Sequence, residues 1–241
     1  MLGVEEVDSA RPAYRRTARV DGSPGVVELR PGGPGAAARV FGLDAGGDPV
    51  DAALAADPLL APLVSARPGL RVAGCFDGYE LAVRAVLGQQ VSVAAGRTLA
   101  ERIVARHGEP LAEPAGSLTH LFPPAERLAE VELGGMPASR ARAVRALAGA
   151  VAGGLRIAPD SDRDVVRAAL LELPGIGPWT VEYVAMRALR DPDALPAGDL
   201  VLRNALGGIG ARELRERAER WRPWRAYAAM HLWQATVARS T

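Results

Sequence analysis

The chain has 241 residues, 49% apolar and 24% charged, an ordinary globular composition that suits one large domain with a smaller one attached. Its formal net charge is only +1, so any attraction for nucleic acid has to come from a local patch. All 29 basic side chains are arginine, which excludes imine chemistry on a side-chain amine, and the single cysteine excludes an intrachain disulfide and a four-cysteine iron–sulfur cluster.

Met1–Pro12 is acidic and lacks a hydrophobic signal region, and no apolar run in the chain approaches membrane-spanning length, so a cytoplasmic protein with no membrane partner is expected. Residues 13–42 read as an antiparallel meander of short strands, Tyr14–Val20, Gly25–Arg30 and Ala37–Phe41, separated by turn formers at 21–25 and 31–35. Pro49–Ala56 and Leu59–Ser65 read as helices that end near Arg67-Pro68-Gly69. From Asp77 onward the apolar spacing turns helical. It predicts helices at Tyr79–Leu87, Ser92–Arg106, Ala125–Glu130, Ser139–Val151, Asp162–Leu171, Pro178–Leu189, Asp199–Leu206, Glu213–Arg220 and Pro223–Ala238. Glu109–Phe122, with Pro110 and Pro114, reads as a long loop, and no repeat of fixed period is present.

The most informative segment is Leu173-Pro174-Gly175-Ile176-Gly177-Pro178-Trp179-Thr180. A Pro-Gly-x-Gly-Pro run between helices makes a tight hairpin, and the second helix then begins with unpaired N–H groups directed outward, an anion site. Two glycines leave no side chain to hold a phosphate away, so main chain can grip a nucleic-acid backbone without reading its sequence. Twenty residues after Trp179, in Pro196-Ala197-Gly198-Asp199-Leu200, Asp199 has the position of a helix N-cap. Trp179 and Tyr183, four apart, share a helix face. Cys75, between Gly74 and Phe76, reads as a small buried residue, and His107, His120 and His231 have no metal-ligand spacing.

The hairpin, together with Leu81–Val93 containing Gly88-Gln89-Gln90-Val91-Ser92, with Gly135-Met136-Pro137 and with Arg220–Tyr227, resembles the helix-hairpin-helix DNA glycosylases, and specifically the 3-methyladenine DNA glycosylase II (AlkA-like) branch. The four blocks span residues 72–241 in the family's order. The resemblance implies a mainly α fold. Residues 73–241 would form a two-lobed helical core with its hairpin at about 162–189, preceded by a small α+β domain with an antiparallel sheet at 1–72. In that branch a further strand and helix normally precede the meander; only Met1–Pro12 stands there, so a shortened first domain is expected.

The activity implied is that of a monofunctional glycosylase of base excision repair. It would flip alkylated bases such as 3-methyladenine and 7-methylguanine out of double-stranded DNA and release them by hydrolysis. Asp199 would be the catalytic carboxylate, stabilising positive charge on the deoxyribose and orienting water. Trp179, Tyr183 and Trp233 would line the base pocket, where stacked rings suit a cationic methylated purine. Trp179 occupies the place of the imine-forming lysine of bifunctional relatives, so the reaction should stop at the abasic site. Gln90 would be the wedge entering the duplex, and Gly175, Gly177 and Thr180 would offer N–H groups to phosphate. The carbonyls of Leu171, Leu173 and Ile176 would bind a structural Na+ or K+; no cofactor is required, and a monomer is expected. The alternatives are a non-catalytic helix-hairpin-helix DNA-binding module and a glycosylase for another damaged base.

Overall fold

The computed structural model describes residues 1, 3–8, 13–20, 22–30, 36–43 and 47–237. Its first segments form an antiparallel sheet of order β1 (Glu5–Asp8), β2 (Ala13–Val20) and β3 (Ser23–Leu29), with Glu5 opposite Arg16 and Tyr14 opposite Leu29. β1 was not anticipated. β3 starts earlier than expected because Val20 pairs with Ser23; Gly22 lies at φ +82°. Asp21 and the expected turn at 31–35 lie outside the described residues. The third expected strand is instead a helix, α1 (Ala36–Phe41). The run Ala36-Ala37-Ala38-Arg39 consists of strong helix formers, and that propensity outweighs the β-compatible Val40-Phe41 end.

Helices α2 (Asp48–Ala55) and α3 (Ala61–Ala66) follow, then α4 (Gly78–Leu87) and α5 (Val93–His107). The expected loop at 109–122 is a hairpin, β4 (Glu109–Ala115) and β5 (Leu118–Leu121). Its prolines misled because an irregular edge strand tolerates their missing N–H groups. The register slips between Pro110 and Ala115, and Gly116, at φ +67°, turns the chain. The remainder is helical: α6 (Ala125–Glu130), α7 (Ala138–Ala152), α8 (Arg163–Leu171), α9 (Pro178–Arg187), α10 (Leu200–Ala205), α11 (Ala211–Ala218) and α12 (Arg225–Val237). Side-chain caps set several starts: Asp77, Ser92 and Asp162 accept from first-turn N–H groups of α4, α5 and α8. The last residue of the expected terminal helix, Ala238, lies outside the described residues.

One apolar core runs through the molecule. Val4, Leu54 and Leu60 from the N-terminal part share it with Leu87, Leu128, Leu147, Leu170, Met186, Leu202 and Leu214 of the helical part. Each fully buried leucine contributes about 1.5–3 kcal/mol. The sheet is also stitched to β5, whose Leu118 bridges Gly3, while the Thr17 hydroxyl donates to the His120 carbonyl at 2.7 Å.

Charges complete the junction between sheet and helices. Arg16 and Glu80, both almost fully buried, pair at 2.6 Å, and the Arg16 guanidinium lies 4.4 Å from the centre of the Phe76 ring. Arg84 reaches Glu5 at 2.7 Å and Glu80 at 3.3 Å, and the Tyr14 hydroxyl donates to Glu5. Burial pushes the Glu5 carboxyl up, but Arg84, Tyr14 and the terminal ammonium outweigh it and hold the group at about 2, against an ordinary 4.5. Because the folded value lies below the unfolded one, this stabilisation is complete above about pH 5 and drains away as the pH falls toward 2. Its size is on the order of 2–3 kcal/mol. Glu5→Gln is therefore expected to lower the melting temperature at pH 7 by roughly 4–10 °C, with the gap to wild type closing as the pH is taken from 5 to 3. Thermal melts of both proteins across that range check it.

Candidate active site

The bend from α8 into α9 is built by its glycines and prolines. The Ile176 N–H donates to the Leu173 carbonyl at 3.2 Å, burying Ile176, while Gly175 is exposed at φ +78°. A Cβ at Gly175 would stand 3.0 Å from the Ala143 methyl of α7, so both the angle and the packing call for glycine. A Cβ at Gly177 would meet nothing within 4 Å. Gly177 is the N-cap of α9 and supplies no side-chain acceptor, and Pro178 opens the helix. The first-turn N–H groups of Trp179 and Thr180 thus have no capping side chain, unlike those of α4, α5 and α8.

Beyond α9 the chain enters a buried loop, with Ala194, Leu195 and Ala197 all in the core. Acids hold it. Glu182 accepts from the Leu195 N–H at 2.9 Å and from Arg167 at 3.0 Å; Arg167 also pairs with Asp191. Asp193 is gripped by Arg225 at 2.8 Å and by Arg222 at 2.5 Å. Asp191, Asp193 and Glu182 are thus consumed by arginine partners that fix the loop.

The loop delivers Asp199 to the start of α10. Oδ1 accepts from the Leu202 N–H at 3.0 Å and from the Trp233 indole N–H at 3.1 Å; Oδ2 accepts from the Trp179 indole N–H at 3.0 Å. No arginine pairs with Asp199 among the described residues, and the side chain is half-buried. Trp179 lies stacked on Tyr183, with centroids 5.5 Å apart and planes at 12°. One turn further, Arg187 donates to the Tyr183 hydroxyl at 3.2 Å and to the Gly74 carbonyl at 3.2 Å. Leu200 and Val201, the next two residues of the chain, are 66% and 41% exposed. Four residues from α9, α10 and α12 that sequence motifs singled out, Trp179, Tyr183, Asp199 and Trp233, therefore converge.

Gln90 lies elsewhere, exposed in the turn between α4 and α5 with a left-handed backbone at φ +55°. Its neighbour Gln89, to which sequence reasoning gave no role, reaches the hairpin: Nε2 donates to the Gly175 carbonyl at 3.0 Å and to the Thr180 hydroxyl at 2.8 Å. The doubled glutamine was the available signal, since a tight turn cannot direct two successive side chains to one place. Cys75 takes no part. Burial pushes its thiol up to about 12, and it lines a separate cavity of about 490 Å³ with Phe76, Ile157 and Arg187. Arg97, Arg102 and Arg106 on α5 and Arg142 on α7 form no ion pair among the described residues. Also among the described residues, no helix is long and apolar enough to cross a membrane, and no cluster of three His, Cys, Asp or Glu could hold a metal.

A helical body with a glycine-rich hairpin, a capping aspartate across from it and a small antiparallel sheet in front is the helix-hairpin-helix glycosylase fold. The solved 3-methyladenine DNA glycosylase of Archaeoglobus fulgidus superimposes with a TM-score of 0.81 at 22% identity, over 98% of this chain and 90% of that one. Residues 35–77 match the AlkA N-terminal domain family. A probable bifunctional transcriptional activator/DNA repair enzyme AlkA of Mycobacterium tuberculosis is 42% identical over 96% of this chain and 51% of its own length. The DNA-3-methyladenine glycosylase 2 of Escherichia coli is 35% identical over 72% of this chain and 63% of its own. The chain thus spans between about half and two thirds of the length of these two relatives. Its sequence is thus similar to AlkA and DNA-3-methyladenine glycosylase 2 proteins, and its fold is that of the helix-hairpin-helix glycosylases.

The cap geometry carries its own consequence. Asp199→Ala removes the acceptor of three N–H groups and is expected to cost about 1–2 kcal/mol, whereas Asp199→Asn keeps an oxygen for Leu202 and Trp233 and is expected to cost less. Chemical denaturation of the two variants and wild type measures the difference.

Proposed function

We propose that the chain is a monofunctional DNA glycosylase that extrudes alkylated bases from duplex DNA and releases them by hydrolysis. The observation that carries this reading is the Asp199 carboxylate, with no cationic partner among the described residues and set among Trp179, Tyr183 and Trp233. A purine methylated on a ring nitrogen is cationic, stacks favourably on aromatic faces and leaves readily. As the glycosidic bond breaks, its electron pair goes to the base nitrogen and positive charge develops on the deoxyribose. A fixed, uncompensated carboxylate stabilises that charge. Asp199 then takes a proton from the attacking water as its oxygen bonds to the anomeric carbon, leaving free base and an abasic sugar.

The hairpin supports the same reading. The uncapped N–H groups of α9, beside the unobstructed Gly177 and the exposed Gly175, suit a backbone phosphate, and Thr180, whose hydroxyl already accepts from Gln89, has its main-chain N–H to offer. Leu171 ends α8, where carbonyls lack helical partners, so it can join those of Leu173 and Ile176 around a monovalent cation; the Leu173 oxygen, already accepting from Ile176, keeps a second lone pair. Gln90, held at the apex of its turn, is the side chain to enter the vacated stack.

Three outcomes follow. Asp199→Asn should reduce release of 3-methyladenine and 7-methylguanine from methylated duplex by about 100-fold or more while binding of a duplex with an abasic analogue persists. Wild-type protein that binds such DNA and frees no base by mass analysis would instead be a binding module. Borohydride present during turnover should trap no covalent complex, since the chain has no lysine and the imine position is Trp179. Trp233→Phe keeps a ring but loses the indole bond to Oδ1, so charged and neutral bases should lose release alike, about fivefold to tenfold, in a substrate panel.

A further inference from the structure

The turn between α4 and α5 holds a non-glycine residue, Gln90, in the left-handed region, a conformation that persists only where its surroundings impose it. What imposes it is visible on the preceding residue. The Gln89 carbonyl accepts from Nη2 of Arg140 on α7 at 2.5 Å, and the Gln89 amide donates to the Gly175 carbonyl at 3.0 Å and the Thr180 hydroxyl at 2.8 Å. A Cβ at Gly96 of α5 would stand 3.2 Å from the Gly88 Cα, so glycine there lets α5 close on the turn from behind. Gln90 is exposed, and its side chain has no hydrogen bond among the described residues.

We propose that Gln89 is a positioning residue: it ties the turn that presents Gln90 to the hairpin that grips phosphate, so that gripping and base extrusion take place in one rigid frame. This rests on the glycosylase reading above. Both acceptors belong to the hairpin itself. Gly175 carries the bend and Thr180 lies in the first turn of α9, so a strand held by the α9 N–H groups is held at a fixed distance from Gln90. The bond to the Thr180 hydroxyl is half-buried and the one to the Gly175 carbonyl lies at the surface. Without the amide donor, the turn is still bound by Arg140 and still packed against Gly96, but its register to the hairpin is released.

The test compares wild type with Gln89→Met, which keeps length and loses the donor, and with Thr180→Val, which removes one acceptor. The substrates are duplexes holding one 7-methylguanine paired with cytosine or mispaired with thymine, because extrusion from a mispair costs less while phosphate contacts are the same. Gln89→Met is expected to lower single-turnover release from the paired duplex about tenfold and from the mispaired duplex about twofold or less, with a melting temperature within about 5 °C of wild type, so that both assays read folded protein. Thr180→Val should act in the same direction, and the double variant should lose less than the product of the two. Equal losses on both duplexes, or release at the wild-type rate from both, would overturn the assignment of Gln89 with the glycosylase reading intact. Absence of release by wild type itself would overturn both.

Discussion

A carboxylate held by neutral N–H donors has no opposite charge beside it; one held by a guanidinium is balanced by its partner. That distinction organises this protein. The chain is rich in arginine, and its acids near the cleft are consumed by it: Glu182 and Asp191 by Arg167, Asp193 by Arg222 and Arg225. Asp199 alone of that set is fixed by neutral donors, one backbone N–H and two indoles. The arginine-bound acids hold the loop, and the loop delivers Asp199, which pairs with no arginine among the described residues.

The aromatic side chains have a double role in consequence. Trp179 and Trp233 each give an indole N–H to the Asp199 carboxylate, so replacing either removes one of its three donors. Since their N–H groups are spent on Asp199, what they turn toward an occupant is ring face. Under the proposed function, selection among bases would rest on stacking and charge more than on a fixed pattern of donors and acceptors.

Much of this was legible in the sequence. The helical starts at Asp77, Ser92 and Asp162 could be read because a capping side chain is a local device, and the hairpin because Pro-Gly-x-Gly-Pro permits few other shapes. Where local signals competed, the reading failed. Ala36–Phe41 has a β-compatible end on an alanine-rich helix former, and the prolines of 109–122 suggested a loop where an irregular edge strand pairs with its neighbour. The two indole bonds to Asp199 were not legible at all, since one joins residues 34 apart in sequence and depends on how α12 packs across α10. Gln89 was hidden for the same reason, its acceptors lying 86 and 91 residues away.

The placement of the tryptophans also makes the molecule its own optical instrument. Of four in the chain, Trp221 is sealed in the core with its indole on Asp57, and Trp224 packs edge-on against Tyr227. The other two share one carboxylate. Anything that stacks on Trp179 alters that indole's surroundings and anything that draws Asp199 away alters two of the four, while the buried, Asp57-bound Trp221 stays as it was, so events at Asp199 can be followed by intrinsic fluorescence without a label.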